Sequence, residues 1–360
     1  MKNIKSILGF CGACIAFYIG AGFATMQEVM QYEASYGSLF GVVILVAAII
    51  YVYTNFSFTL NGNRLNLTRG GDIYQVYCGK WIGMFFDFFS ALFCYMSFVV
   101  MCGGANSTCI EQWGLPNGAG AVILATATIL TVVFGLNGVV KALKVVGPII
   151  IILIVFIACW TAITGFGNFK EGLEAIDNQK YEITQVGDGN PFASGASYGG
   201  FVILWFAAFL AELGAKNPVK NVNRGMLLST LAIFGVAAIS CIALIGHIDE
   251  TWNAGVPALV LAKSIHPVFA TIYAFIIFLG IYSSACPLLW TGISRIAKNG
   301  TPKYKVWAIG LGILGCVIAC YVPYRPLLNI IYGLNGYLGF ILVAFMIWND
   351  VSVLRKRKNA

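Results

Sequence analysis

Near its start the chain reads Phe17-Tyr18-Ile19-Gly20-Ala21-Gly22-Phe23-Ala24-Thr25-Met26-Gln27-Glu28, inside an otherwise uninterrupted apolar stretch. No other feature constrains the fold as much. In lipid every backbone amide and carbonyl needs a partner, so a spanning segment is ordinarily a continuous helix. A Gly-x-Gly pair weakens the helix in mid-span, and the peptide groups freed there have to face protein or a water-filled cavity. A second irregular span, Leu204-Trp205-Phe206-Ala207-Ala208-Phe209-Leu210-Ala211-Glu212, follows about half a chain later and also carries a carboxylate. Interrupted helices at matching positions of two chain halves are the sequence pointer to a midplane binding site in secondary transporters.

Composition agrees with a bilayer. Hydrophobic residues make up 59% of the 360 and charged residues 10%, and the mean hydropathy is +0.84. These values exclude a water-exposed globule. The net charge of +8 would suit a nucleic-acid binder only if the basic residues formed one patch. They lie instead in short loops and the C-terminal tail, so the expected partner is the lipid bilayer and no nucleic acid is expected. Apolar stretches of about 20 residues fall near 7–35, 39–60, 81–104, 118–135, 145–166, 197–214, 224–246, 267–290, 305–322 and 326–349, which makes ten spans. With the N-terminus inside, only Lys170, Lys180, Lys263 and Arg325 of the 22 Lys and Arg fall on or near the outer face. The positive-inside rule then places both termini in the cytoplasm.

The first span is read as retained rather than cleaved, because no small-residue cleavage site follows its apolar run. Most of the eleven cysteines sit within spans, without metal spacing, as small packing residues. Cys102 and Cys109 lie close enough to the outer surface to allow a disulfide. Asp87, early in the third span, is expected to pair with an inner-face Lys or Arg. The stretch from Asp72 to Tyr77 is amphipathic and either lies on the membrane or caps an inner vestibule.

Glu28 and Glu212 are 184 positions apart, and five spans precede the second motif. An odd number of spans per repeat makes the second copy enter from the opposite side, so the halves are inverted. The expected fold class is therefore an all-α integral membrane protein of ten transmembrane helices in a 5+5 inverted repeat, the LeuT fold, with helices 1 and 6 discontinuous. The expected divisions are 1–166 for the first repeat, 167–196 for an extracellular loop, 197–349 for the second repeat and 350–360 for a basic cytoplasmic tail.

The residues also carry a resemblance. Gly20-Ala21-Gly22-Phe23-Ala24 resembles the Gly-Ser-Gly-Ile-Phe motif in the first span of the amino acid–polyamine–organocation superfamily, and Phe206 to Glu212 resembles its sixth-span motif. The longer string Gly-Ala-Gly-Phe-Ala-Thr-Met-Gln-Glu is similar to the first span of YkvI-like bacterial membrane proteins. This resemblance implies a bacterial inner-membrane protein and a substrate carboxylate held by the backbone of Gly20, Ala21 and Gly22. It brings Tyr18 to the break and gives Phe206, Ala207 and Phe209 as the sixth-span wall. Tyr95, midway along the third span, is a further ring and hydroxyl candidate. Close helix packing is the plainer reading of the glycines, and ordinary core packing that of the aromatics.

Gly280-Ile281-Tyr282-Ser283-Ser284-Ala285 resembles the Gly-Leu-Thr-Ser-Ser segment of Na⁺-coupled LeuT-fold proteins. The resemblance implies a Na⁺ site made by the hydroxyls of Ser283 and Ser284 with the carbonyls of Ala16 and Ile19, and a shift of one position would bring in Tyr282. Hard oxygen donors suit such a cation, whereas the plainer reading has the serines bonding back to their own helix. Proton-coupled relatives place a Lys in the fifth span, where this chain has only Ile149 to Phe156. Glu28 and Glu212 are coupling or gating candidates, since an ionisable group in a span is functional by default. The structural alternatives are a wetted outer position for Glu28 and a tie between helices for Glu212.

The expected function is a secondary active transporter of a small amino acid or related amine, coupled to Na⁺ and working by alternating access, with no organic cofactor and no enzyme activity. Two alternatives are an H⁺-coupled transporter using Glu28 and Glu212, and a non-transporting channel or sensor. A membrane enzyme is disfavoured, because the only histidines are His247 and His266 in one outer segment.

Overall fold

A computed structural model describes residues 2–67, 69–134 and 137–358, with the side chains at 2, 16, 17, 137–148 and 354–358 outside the described set. Ala16, invoked above, falls on those positions, as do Lys141, Lys144 and the basic residues Arg355 to Lys358 of the expected tail. The chain runs α1 (Lys2–Tyr18), α2 (Ala21–Ala24), α3 (Gln27–Tyr32), α4 (Phe40–Arg64), α5 (Ile73–Trp113), α6 (Ala119–Phe134), α7 (Asn137–Thr164), α8 (Phe169–Asp177), α9 (Pro191–Lys216), α10 (Val219–Gly246), α11 (Ile248–Thr251), α12 (Pro257–Ile265), α13 (Pro267–Ser294), α14 (Pro302–Tyr321) and α15 (Tyr324–Lys358). No strand occurs among the described residues.

Local sequence sets many of these boundaries. A proline at the first helical position lacks only an amide that would go unpaired anyway, and α9, α12, α13 and α14 all begin this way. Asn190 caps α9 by accepting from the amides of Phe192 and Ala193, at 2.9 and 3.2 Å, and Thr301 caps α14 by accepting from Tyr304 N at 3.2 Å. Gly79, at φ 72° and ψ −179°, separates the short amphipathic start of α5 from its long apolar run. Of the two places considered for that start, the structure shows the vestibule, since Tyr74 lines the central cavity and donates to Leu204 O at 3.2 Å.

Seven described helices are long and apolar enough to cross a membrane. Ile149–Thr164 and Phe166–Asp177 form a further pair bent by 60°, and Asn3–Ile15 and Ala119–Phe134 are shorter apolar helices. Their order is consistent with ten spans, α1 to α3 together making the first. Helix pairing follows the inverted repeat: α1 packs along α10 as α9 packs along α4, while α5 faces α13 and α6 faces α14. Each of these contacts maps onto itself or onto its counterpart when the first span is exchanged with α9, α4 with α10, α5 with α13 and α6 with α14.

One expectation needs correction. The sixth span, α9, is a single unbroken helix from Pro191 to Lys216. Its motif Phe206-Ala207-Ala208-Phe209-Leu210-Ala211 contains no Gly or Pro, and Ala and Leu are strong helix formers, so nothing in it frees a peptide group. The described residues from 350 to 358 continue α15 as helix. Cys102 and Cys109, whose pairing the sequence left open, are both buried and free.

The glycines of α9 serve packing. Without a hydrophobic drive between helices in lipid, small residues let backbones approach closely. A Cβ at Gly195 would come within 2.7 Å of Val43 O, one at Gly214 would overlap Thr59 O, and one at Gly200 would overlap Gly336 O of α15. Gly200→Ala is therefore expected to destabilise the protein by about 1–3 kcal/mol, the usual scale of overpacking. Gly235→Ala, on α10 where nothing lies within 4 Å of the added methyl, should stay within about 0.5 kcal/mol or gain slightly. Thermal unfolding in detergent compares the two, and equal shifts would show that close backbone approach is not what these helices require.

Candidate functional site

The first span breaks twice. Ile19 and Gly20 are non-helical, with Gly20 extended at φ −106° and ψ −170°, and after the single turn of α2 the chain bends again at Met26, which is left-handed at φ 59°. A buried non-glycine residue in that region is strained, and such strain persists only where the surroundings enforce it. Here the surroundings are hydrogen bonds. Tyr273 of α13 donates to Ala24 O at 2.7 Å, and the amide of Ala258 at the start of α12 donates to Thr25 O at 3.0 Å. Thr25 Oγ1 donates to Gly22 O at 3.1 Å and lies 3.1 Å from Tyr324 OH. The carbonyls released by the break thus find donors on two neighbouring helices, α12 and α13, and in Thr25 of the span itself.

Beside the break lies a cavity of about 490 Å³, bounded by Ile19, Gly20 and Ala24 of the first span and by faces of α5, α7, α9 and α13. Its middle is apolar, with Met101, Leu204, Trp205, Phe209, Ile281 and Leu288. Toward the end of the bundle that carries Arg69, Lys216 and Arg295, the basic end, it becomes polar through Ser90, Thr291, Asp87 and Arg295. Asp87 pairs there with both Arg295, at 2.5 Å, and Arg69, as its position in the third span suggested. The opposite end is closed over α2 and α3 by the α12 segment and by the start of α15, where Gln31 Nε2 donates to Arg325 O at 3.0 Å.

The predicted site residues separate into those at the cavity and those behind its wall. Ile19, Gly20, Phe209, Ser283 and Ser284 line it. Tyr18 is buried in an aromatic cluster with Phe23, Tyr51, Tyr198, Phe206 and Phe234. Phe206 and Ala207 are fully buried on that far face of α9, while Trp205 and Ala208 take the cavity face. Tyr95 points away, its hydroxyl donating to Leu311 O of α14 at 3.1 Å. Ala21 and Gly22 are buried behind Gly20, and a Cβ at Gly22 would overlap the carboxyl of Glu28. One helical register step, not legible without knowing which neighbour each face meets, accounts for the Trp205-for-Phe206 and Cys94-for-Tyr95 exchanges.

Ser283 Oγ donates to Gly280 O at 2.7 Å, and Tyr282 is engaged with Thr131 Oγ1 of α6 at 2.6 Å. The register that turns Ser283 and Ser284 to the cavity is therefore the one adopted. Pro287, inside α13, has no amide for the carbonyl four residues earlier, which is that of Ser283. A carbonyl without its usual helical amide and two hydroxyls thus belong to a wall of the cavity that Ile19 also lines. The surroundings of Ala16, the fourth predicted ligand, lie outside the described residues.

The carboxylates differ from each other. Glu212 is half exposed, accepts from Gly70 N at 3.2 Å and pairs with Lys216 at 3.1 Å, so it ties the loop before α5 to the end of α9. Glu28 is 2% exposed, which removes the wetted outer position considered for it. Its Oε2 accepts from Tyr198 OH at 3.4 Å, and its Oε1 has no partner in hydrogen-bond geometry. Glu33, not singled out from the sequence, is also fully buried, with Oε2 3.7 Å from Cys241 Sγ. Neither makes an ion pair among the described residues, although a charged side chain at a helix centre costs about 2.5–3.5 kcal/mol on insertion scales.

No protein-family model matches the chain. It is similar to the uncharacterized membrane protein YkvI of Bacillus subtilis (strain 168), 21% identical over 353 residues that cover 96% of each chain. YyaD of the same organism is 20% identical over 221 residues, 61% of this chain and 60% of that protein. Among solved structures, MhsT in complex with L-phenylalanine superposes with a TM-score of 0.63 at 17% identity, over 94% of this chain and 88% of that one. A mutant form of the Eremococcus coleocola manganese transporter matches with a TM-score of 0.51 at 11% identity, over 96% of this chain and 78% of that one. The chain has the LeuT fold, and the likeness to YkvI read from the first span extends along its length.

If Gly22 is glycine because it seats the Glu28 carboxyl, Gly22→Ala should destabilise by about 1–3 kcal/mol, and the loss should shrink when Glu28→Ala is made first. The coupling expected for touching residues is about 0.5–3 kcal/mol. Unfolding of the four proteins in the cycle measures it, and additive effects would separate the two residues.

Proposed function

We propose that this protein is a secondary active transporter that carries an amino acid with a bulky apolar side chain, or a related amine, by alternating access coupled to Na⁺. One observation carries the reading: a cavity of about 490 Å³ abuts the broken first span, within the ordinary size range of small-molecule sites. It is the place where a backbone break in lipid has a use. Met101, Trp205, Phe209, Ile281 and Leu288 supply an apolar lining suited to a side chain of aromatic size, and the peptide edge at Ile19 and Gly20 supplies polar groups for the head of an amino acid or amine. MhsT, which shares the fold, was solved with L-phenylalanine.

For Na⁺ the donors fit. The carbonyl of Ser283 left unclaimed by Pro287, the hydroxyls of Ser283 and Ser284, and the peptide at Ile19 offer neutral oxygens of the kind a monovalent hard cation takes. They would hold the ion between α13 and the first span, and its charge would bind the two together. The manganese transporter shares the fold, but among the described residues no three His, Cys, Asp or Glu side chains converge on one point, which favours an organic substrate over a divalent metal. In alternating access the two ends open in turn, and here the candidates for the gates are the Asp87 pairs with Arg69 and Arg295 at the basic end and the bonds of α13 to Ala24 and of α12 to Thr25 at the other. The positive-inside rule makes the basic end cytoplasmic.

Binding at linked sites is reciprocal. Na⁺ should therefore raise the affinity for L-phenylalanine or another bulky apolar amino acid in a thermal-shift screen, and Ser283→Ala with Ser284→Ala should weaken apparent Na⁺ affinity about tenfold or more, ~1.4 kcal/mol. A screen in which no amino acid or amine shifts the melting curve, with or without Na⁺, would overturn the substrate class. An accessibility reporter should place Lys298 inside the cell and Glu182 outside.

A further inference from the structure

A second pocket, of about 520 Å³, lies at the end opposite the basic one, with Glu182, Asn253, Tyr324 and Arg325 in its wall. Between it and the central cavity stands one thin partition, the turn from Gly20 to Met26 with α3 behind it. Gly20 and Ala24 face the central cavity. Tyr324, on the wall of the other pocket, touches Thr25, and Thr25 bonds the carbonyl of Gly22. The Glu28 carboxyl rests on that same Gly22, inside the partition.

Among the described residues no cation pairs with it. Tyr198 of α9 donates to it, and the titratable groups within electrostatic range are Tyr18 of α1, Tyr32 and Glu33 of its own segment, and Tyr324 and Tyr332 of α15, with the backbone of Phe23 beside it. Cys241 of α10 meets Glu33 and not Glu28. Tyrosines ordinarily ionise near pH 10, far above carboxyls. A carboxyl in a dry partition with one oxygen unpartnered is at ease only as the neutral acid, and it becomes an anion when water reaches it. Alternating access brings water to this partition from one end and then from the other.

We propose that Glu28 is a proton carrier: it takes a proton from water at one end of the protein, holds it as a carboxylic acid while the partition is dry, and releases it to water at the other end. The carboxylate takes H⁺ from hydronium, leaving water, and the reverse transfer regenerates the carboxylate, so no electrons move and no further reactant is needed. Glu28, rather than Glu33, is assigned because its carboxyl seats on Gly22, which lies two residues from both Gly20 and Ala24 of the central cavity and whose carbonyl is bonded by Thr25, the residue that touches Tyr324 of the other pocket. The proposal rests on the transport reading and adds a proton to the ions that move with the substrate.

Two measurements test it, one of them independent of substrate. In infrared spectra of the full chain titrated from about pH 5, above the ordinary range of carboxyls, to about pH 9, near that of thiols, a carbonyl-stretch band of a protonated carboxylic acid should persist at neutral pH. Glu28→Gln should remove a component of that band that Glu33→Gln leaves in place, since Glu33 is a second buried carboxyl with an unpartnered oxygen. A band that is absent, or that is removed only by Glu33→Gln, overturns the assignment. In liposomes holding a trapped pH dye, with equal Na⁺ on both sides, uptake of labelled L-phenylalanine should be accompanied by a dye signal. Glu28→Gln should cut that signal at least tenfold while labelled-for-unlabelled exchange continues. Uptake without proton movement in the unaltered protein overturns the carrier and leaves the transport reading standing. Absence of any uptake overturns that reading instead, and the infrared band still decides whether Glu28 holds the proton.

Discussion

A carbonyl released from a membrane helix must find a donor, and the rest of this structure is arranged around the few that the first span releases. Ala24 O and Thr25 O are claimed by Tyr273 and by the amide of Ala258, and Gly22 O by Thr25. These bonds fix α12 and α13 against the break, and with Tyr324 they close one end of the protein. Because a missing partner costs several kcal/mol where no water is present, the break can open toward that end only if the same groups exchange protein donors for water. The polar requirement that makes the break costly also makes it switchable.

Glycine supplies the second requirement, space. The seat under Glu28 exists because residue 22 has no side chain, and the contacts of Gly195 and Gly214 with α4 and of Gly200 with α15 hold α9 straight and close. Glycine therefore has different physical uses in the two spans. In the first, Gly22 makes room for a side chain, the Glu28 carboxyl, whereas in α9 glycine permits helices to touch while the backbone stays helical. An unbroken α9 also puts Trp205 and Phe209, four residues apart, on one face, and this gives the cavity its apolar wall.

The two ends are closed by different interactions. At the basic end a carboxylate shared by two arginines, Asp87 with Arg69 and Arg295, joins the loop before α5 to the end of α13. Arg69 is half exposed, so these pairs are within reach of water and can be exchanged for hydration at modest cost. At the other end the bonds to the broken span are neutral, from Tyr273 and the Ala258 amide to buried backbone, while the Glu111 carboxyl holds the amides of Gly255 and Val256 before α12. An asymmetry of this kind lets each end respond to different events, charge and solvent at one and the state of the broken span at the other.

Much of this was legible in the sequence because the bilayer allows so few solutions. Hydropathy, loop charge and the Gly20-Ala21-Gly22 interruption specify a helical bundle with a broken first span, and the half-chain spacing of the two motifs indicates the inverted repeat. Ser283 and Ser284 were singled out by the resemblance of Gly280 to Ala285 to a known segment, and both line the cavity. Rotation about a helix axis was not legible. Whether Phe206 or Trp205, Tyr95 or Cys94 faces the cavity depends on which neighbour each side meets, and in lipid both faces of a helix are apolar, so no hydropathy contrast marks the inner one. The sequence by itself determined the class of fold and the position of the break. Only the tertiary structure decided that α9 is continuous, that Glu212 is a tie between loop and helix, and that Glu28 is sealed against Gly22, because each of those outcomes depends on groups brought together from distant parts of the chain.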